Sequence, residues 1–598
     1  MKQFFKMFFA SLLAMIFTGA IIIGLIISFI VSLTKEVTDR TSAKTTSGNV
    51  LMLDVASQIH EISENNSLAV ISKGDGFQAG LLDIDKALER AKNDAGIKGL
   101  YIRLSGTPNH WATLEQLRAS ILNFKKSGKF VVAYGENITQ GAYYLATAAD
   151  NIYLNPVGAM ELKGLSTTLM FFKGTLDKLD IQPEIYYAGK FKSATEPFRT
   201  DKMSEPNRLQ VGVMQNSIWD NFLVAVTEYT HKSKEEINKL TTDGAIQFPS
   251  DAVKAGLISG LAYWDQVETT IKSKAGIAAK NNLSMQDIND YAMLNKVTDL
   301  TNNGSKVAVL VAEGEIKDGE QNNEFEIASK TFCEAVRKVA NDDNIKAVIL
   351  RVNSPGGSAL ASEIILRELK LLKDKKKHIV VSMGDYAASG GYYISTIGDS
   401  IFAEPNTITG SIGVFGMMFS FDKLAKNKLG ITFDGVKNAP YADFPTATRA
   451  MTPEEGRRIQ ASIDTVYETF KNHVVEGRKL TKDLVDTIAQ GRVWTGTDAI
   501  KIKLVDRLGG LNEAIQCAVS MSGVGKTYKV VTYPESSDKL DMLLKKFKGG
   551  NSASAAAIKE AIKSETTPEI YDWYRQFRTL ASINGKTQML MPFIPVIQ

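Results

Sequence analysis

A long stretch of this chain is written twice. The segment YGENITQGAYYLATAADNIYLNP beginning at Tyr134 returns as MGDYAASGGYYISTIGDSIFAEP beginning at Met383. Ile97–Leu104 (IKGLYIRL) matches Ile345–Val352 (IKAVILRV), and Asp251–Leu257 (DAVKAGL) matches Asp498–Leu504 (DAIKIKL), all at an offset of about 248 residues. Register held from Ile97 to Leu257 means duplication of a whole folding unit. At 598 residues the chain also exceeds what one hydrophobic core supports, so two similar units are expected.

Within each copy, short β-branched runs alternate with helical patterns. Val307–Ala312, Ala347–Val352 and Ile379–Met383 read as strands, and Ala361–Lys373 is apolar at helical spacing. This alternation predicts an α/β fold with a parallel sheet in each repeat. The polar, turn-rich Thr298–Ser305 marks the boundary. The expected organisation is therefore 1–48 for N-terminus, anchor and linker, 49–300 and 301–548 for the repeats, and 549–598 for a tail. That tail opens Gly/Ser/Ala-rich and ends in apolar LMPFIPVIQ, and its composition assigns it no role.

The copies differ where chemistry would sit. Gln140 of the first stands where Ser389 stands in the second, and 52 residues further on the first has Lys192 where the second has Tyr441. Each copy thus lacks the residue type the other keeps. Alone, AASGGYY around Ser389 reads as a glycine-rich turn packing a helix on a sheet, and Lys192 as a solvated lysine. The complementary loss at a common spacing favours one site shared by both halves, with a serine nucleophile and a lysine base.

Ser389 falls between a strand and an apolar helical run, where backbone N–H groups lack partners and the helix dipole favours negative charge. The Gly390 N–H is a natural oxyanion donor there. Gly356 and Gly357, in the tight turn Ser354-Pro-Gly-Gly-Ser358, are candidates for the second donor. The first copy has Ser105-Gly-Thr-Pro-Asn109 at that point and loses the paired glycines together with the serine. A lysine of pKa about 10.4 is neutral in roughly one molecule in a few thousand at pH 7, so a basic Lys192 must be desolvated. The five histidines, His60, His110, His231, His378 and His473, all lie outside both glycine-rich segments, which disfavours a Ser-His-Asp triad.

From Met7 to Thr34 run 28 residues without a charge, more than the roughly 20 that span a bilayer as a helix. A cleaved signal peptide would have a shorter apolar region and a small-residue cleavage site, so a retained anchor is expected. Lysines flank both ends, and charge bias leaves the orientation open. Net charge of +4, spread along the chain, gives no footprint for nucleic acid. Gly525-Lys526-Thr527 lacks the earlier glycine of a phosphate-binding loop, so no nucleotide is expected. Cys333 and Cys517 form neither a disulfide framework nor a metal motif, and no metal or other cofactor is implied.

AASGGYYIST, TGSIGVFG at Thr409–Gly416, SPGGS at Ser354 and YYAGKFKSATEPF together closely resemble the signal peptide peptidase A family in its long, duplicated, membrane-anchored form. The resemblance implies two tandem ClpP/crotonase-like repeats, with Ser389 as nucleophile and Lys192 as general base. It also implies that Ser411 hydrogen-bonds the lysine and that Gly357 and Gly390 line the oxyanion hole. It further implies a homotetramer on the extracytoplasmic side of the bacterial inner membrane, degrading signal peptide remnants left in the bilayer. Two rival readings are a crotonase-like acyl-CoA hydratase or isomerase, which would need a pocket carboxylate in place of the serine, and a membrane scaffold built on a decayed protease.

Overall fold

The computed structural model describes residues 49–65, 77–299, 305–321, 325–525, 527–534 and 587–591. The expected anchor, Met7–Thr34, lies outside the described residues. Among the described residues no helix is long and apolar enough to cross a membrane.

In chain order the first repeat contributes β1 (Val50–Asp54), β2 (Glu64–Asn65), β3 (Phe77–Gln78), β4 (Gly99–Leu104), β5 (Phe130–Ile138), β6 (Asn151–Met160), β7 (Gln182–Ala188), β8 (Gly260–Leu261) and β9 (Met285–Asp287). The second contributes β10 (Ser305–Glu313), β11 (Glu315–Lys317), β12 (Glu326–Ala328), β13 (Ile345–Ser354), β14 (Gly356–Ser358), β15 (His378–Ala388) and β16 (Ser400–Ala403). It continues with β17 (Ile408–Gly410), β18 (Val414–Ser420), β19 (Val493–Thr495), β20 (Arg507–Leu508) and β21 (Tyr528–Tyr533), and Thr587–Leu590 forms β22.

The duplication is visible as two sheets of one design. The first runs β9-β1-β4-β5-β6-β8 and the second β21-β10-β13-β15-β16-β20, and every neighbouring pair in both series is parallel. The strands and the helix read from the sequence of the second repeat fall inside β10, β13, β15 and Ala359–Asp374. Residues 307–312 of β10 are all buried because helices cover both faces of the sheet. Val307 and Val309 pack with Leu511, Ala514 and Ile515 of the helix Leu511–Ser522. Ala308 and Leu310 belong to the opposite core with Ile365, Leu366 and Leu369 of the helix Ala359–Asp374.

A third sheet, ordered β12-β11-β14-β22-β18-β7, ties the repeats together. Its strand β7 belongs to the first repeat but lies antiparallel on β18 of the second, from Ala188 opposite Val414 to Gln182 opposite Ser420. Polar contacts reinforce this union. The Thr113 N–H and hydroxyl both donate to the Asp385 carboxylate, at 2.8 and 2.6 Å. Arg351 is buried on β13 and uses all five of its donors. Two reach the Glu61 carboxylate at 2.8 and 3.1 Å, and the others reach Gln116, Ser382 Oγ and the Met383 carbonyl.

Removing one partner of such a pair strands the other in a dry interior. Glu61→Ala is expected to cost about 3–5 kcal/mol, read from the urea midpoint, while Glu61→Leu combined with Arg351→Met costs much less. A double variant whose loss equals the sum of the two single-variant losses would show that the pair has no coupling.

Candidate active site

Ser389 follows β15 directly and precedes the short helix Gly390–Ser395. Its φ of +54° is rare for a residue with a side chain, and it marks a strained strand-to-helix turn that projects the hydroxyl. The turn is held from both sides. The Ser389 N–H donates to the Gly410 carbonyl at 2.8 Å, and the Ser389 carbonyl accepts from the Tyr393 N–H at 2.8 Å. Ser411, just beyond β17, also has positive φ, +49°, and is fixed by its N–H to the Arg492 carbonyl at 2.7 Å.

Lys192 arrives from the other repeat. It lies four residues past the end of β7, so the β7–β18 pairing carries it across the boundary between repeats. Its Nζ is 2.9 Å from Ser389 Oγ, 3.1 Å from Ser411 Oγ and 3.3 Å from the Ser411 carbonyl. Residues 197 and 219 positions away in the chain thus surround one amine. The side chain is fully buried, and among the described residues no carboxylate lies within ion-pair distance of it. Burial alone therefore holds its pKa well below the ordinary lysine value.

The backbone around the lysine is gripped by the second repeat. The Phe191 N–H donates to the Gln490 carbonyl at 2.7 Å, and Gln210 Nε2 donates to the Phe191 carbonyl at 3.1 Å while its Oε1 accepts from the Val493 N–H. Gly491 touches Lys192 so closely that a Cβ there would stand 2.7 Å from the lysine Cβ and 2.8 Å from its N. Its φ is +73°, which an L side chain adopts only with strain. Gly491 and Gln210 were not legible as site residues, because neither sits in a motif and each acts through a contact between the repeats.

Gly356 and Gly357 form the strand β14, where the sequence predicts a tight turn. The difference has a cause: β14 is paired on both sides, by Ile316 of β11 opposite Gly357 and by β22. The Gly356 N–H is taken by Ser354 Oγ at 3.2 Å. The amides of Gly357 and Gly390 lie close together, since a Cβ on Gly390 would meet Gly357 N at 3.2 Å. Both glycines thus stand next to Ser389.

In the first repeat, Gln140 uses its side-chain amide for structure. Its Oε1 accepts from the N–H groups of Lys163 and Gly164, and its Nε2 donates to the Gly164 carbonyl, all at 3.1 Å. Tyr441, the counterpart of Lys192, lies beneath the Arg458 guanidinium, 4.1 Å from its ring centre. His60, His110, His378 and His473 make their polar contacts with Glu313, Tyr386, Asp399 and Glu363, and His231 ends a helix.

The model of peptidase family S49 matches this chain twice, over residues 123–278 and 371–525. The chain belongs to peptidase family S49. It is 34% identical over 541 residues to Protease 4 of Salmonella typhi, covering 88% of this chain and 86% of that protein. It is 37% identical over 445 residues to Protease 4 of Haemophilus influenzae, covering 73% and 72%. To the chloroplastic serine protease SPPA of Arabidopsis thaliana it is 32% identical over 494 residues, 81% of this chain and 71% of that one. The two matched stretches fall one in each repeat, and the chain is a serine protease of the S49 family, which sets aside the acyl-CoA hydratase reading.

Gly491→Ala is expected to displace Lys192 and lower kcat/KM on a peptide substrate about 10²-fold, with a thermal melt that is lowered by the strain but still cooperative. Full activity in the well-folded variant would mean that the close approach at Gly491 does not set the position of the amine.

Proposed function

We propose that this chain is a membrane-anchored serine endopeptidase that degrades cleaved signal peptides and other short apolar peptides through a Ser389/Lys192 dyad. The observation that carries the reading is the 2.9 Å separation of Lys192 Nζ and Ser389 Oγ in a buried site where, among the described residues, no carboxylate pairs with the amine. A neutral amine there accepts the hydroxyl proton as Oγ bonds to the substrate carbonyl carbon. The oxyanion that forms is held by the N–H groups of Gly357 and Gly390. On collapse the peptide C–N bond breaks and the Lys192 ammonium returns its proton to the leaving amine. Water then repeats the sequence on the acyl-serine. Ser411 Oγ, 3.1 Å from Nζ, keeps the amine aimed at Ser389 in both protonation states.

The uncharged Met7–Thr34 segment supports anchoring, and the family resemblance implies catalytic repeats on the extracytoplasmic side of the bacterial inner membrane and four copies in the active particle. Apolar substrates suit the site's surroundings, where Phe198, Phe415 and Met417 form a cluster along β18 with Phe172 and Ile185. Extended peptides suit the neighbouring strands, which bind main chain through strand addition.

Ser389→Ala is expected to abolish both fluorophosphonate labelling and cleavage of a synthetic signal peptide followed by mass spectrometry. Cleavage by that variant would overturn the nucleophile assignment. Lys192→Arg should fold and be inactive, because guanidinium cannot serve as the base. Since burial lowers the Lys192 pKa, the active neutral form grows as pH rises, and kcat/KM should climb to a plateau at a pH well below lysine's ordinary value. A rate that falls over that rise would contradict a lysine base.

A further inference from the structure

One buried carboxylate near the lysine has no part in the proposed chemistry. Glu196 lies four residues after Lys192, is 2% exposed, and has a long ion pair, 3.7 Å, with Arg199. Its oxygens are engaged by the head of the helix Glu205–Thr230. The Ser204 N–H and Asn207 Nδ2 donate to Oε2 at 3.2 and 2.8 Å, and the Ser204 hydroxyl donates to Oε1. The duplicated half is built differently. At the same offset of about 248 residues, the helix Pro453–Arg478 opens on Thr452 and Glu455, and the Thr452 N–H donates to that helix's own Glu455 at 2.8 Å. The copy that keeps the lysine has Asn207 in place of this glutamate and draws its carboxylate from the lysine turn, where the other copy has Phe444 and Pro445.

An ionised carboxylate only accepts hydrogen bonds, so Glu196 turns the Asn207 amide nitrogen toward itself and the Asn207 Oδ1 away. That oxygen accepts from Ser193 Oγ at 3.0 Å and from Gln210 Nε2 at 3.1 Å. Gln210 must therefore present its nitrogen, which also donates to Ser193 Oγ at 2.9 Å and to the Phe191 carbonyl at 3.1 Å. Its Oε1 is left to face the second repeat, where it accepts from the Val493 N–H at 3.3 Å. Ser193, Glu196, Asn207 and Gln210 are each at most 2% exposed, so a flipped amide would set donor against donor in a dry interior. The chain ends where the second repeat supports the site. There the Gln490 carbonyl accepts the Phe191 N–H and the Arg492 carbonyl accepts the Ser411 N–H, both at 2.7 Å.

We propose that Glu196 is a positioning residue for Lys192: through Asn207 and Gln210 it sets the direction of a buried hydrogen-bond chain that locks the lysine turn onto the segment supporting Ser411. The proposal rests on the dyad reading, since it concerns the aim of that amine. Glu196 bonds to the head of the helix and not to Ser389, Ser411 or the lysine amine, so it acts through the two amides it orients. Hydrogen-bond direction, and not charge, is what it supplies. In Glu196→Gln the remaining oxygen accepts from the Ser204 N–H and Asn207 Nδ2 while the new nitrogen donates to Ser204 Oγ, which preserves the chain. Glu196→Leu offers no acceptor and leaves the Asn207 amide free to turn.

The test compares Glu196→Leu, Glu196→Gln and Asn207→Leu in the full chain with a fluorogenic apolar peptide. In both leucine variants kcat should fall about 10²-fold while KM stays within about two-fold, as for a misplaced catalytic group. Water admitted to the loosened turn should also move the rising limb of kcat/KM to higher pH, which loss of folded protein alone does not do. Glu196→Gln should keep kcat within about two-fold of the unaltered chain and leave the pH midpoint in place, because its hydrogen bonds are retained. Folded leucine variants with unchanged kcat and pH midpoint would overturn the proposal, and so would a Glu196→Gln protein as slow as Glu196→Leu. If a leucine variant does not fold, Gln210→Met takes its place under the same criteria. Lys192→Arg is the control for the dyad. Turnover by that variant defeats the dyad reading, whereas its inactivity beside full activity in Asn207→Leu defeats the orienting chain alone.

Discussion

Everything at this site depends on one strand pairing. β7 leaves the first repeat to lie antiparallel on β18 of the second, and the turn after it sets a lysine amine among two serines of the partner unit. An amine is useful as a base only when water is kept away, and the tight joining of the repeats keeps it away. The union is polar as well as apolar, with Arg351 fully satisfied by Glu61, Gln116 and the adjacent strand. A loose boundary would hydrate the lysine and return it to its ordinary protonated state.

The reaction proposed here needs no imidazole because desolvation does the work that a triad assigns to a third residue. Two hydroxyls and a carbonyl receive the amine, and among the described residues no carboxylate is within ion-pair distance to hold its proton. Geometry is supplied by backbone. Positive φ at Ser389 and Ser411 fits two tight turns around the Lys192 Nζ, while Gly491 packs on the lysine's backbone, which places strain at the site.

Much of this was legible in the sequence. Strand runs such as residues 307–312 carry their burial in their composition, and the offset repeats announce two sheets of like order. The serine and lysine stood out because each is missing from the opposite copy. What could not be read is long-range pairing. Nothing in QPEIYYA marks β7 as a strand that changes sheets, and the glycines of SPGGS look like a turn until their neighbours are known. The tail is the clearest case, since TQML is an unremarkable strand whose meaning comes from the two edges it joins.

Gln140 has a consequence for how such a chain can change over time. Its side chain binds three backbone groups of Lys163 and Gly164, so the position that matches Ser389 serves to tie a loop in the first repeat. Restoring serine there would leave those groups without their partners and still find tyrosine where an amine is required. The Ser389 and Lys192 side chains that meet at 2.9 Å come one from each half, so a substitution at position 140 alone would not rebuild that pair within the first repeat.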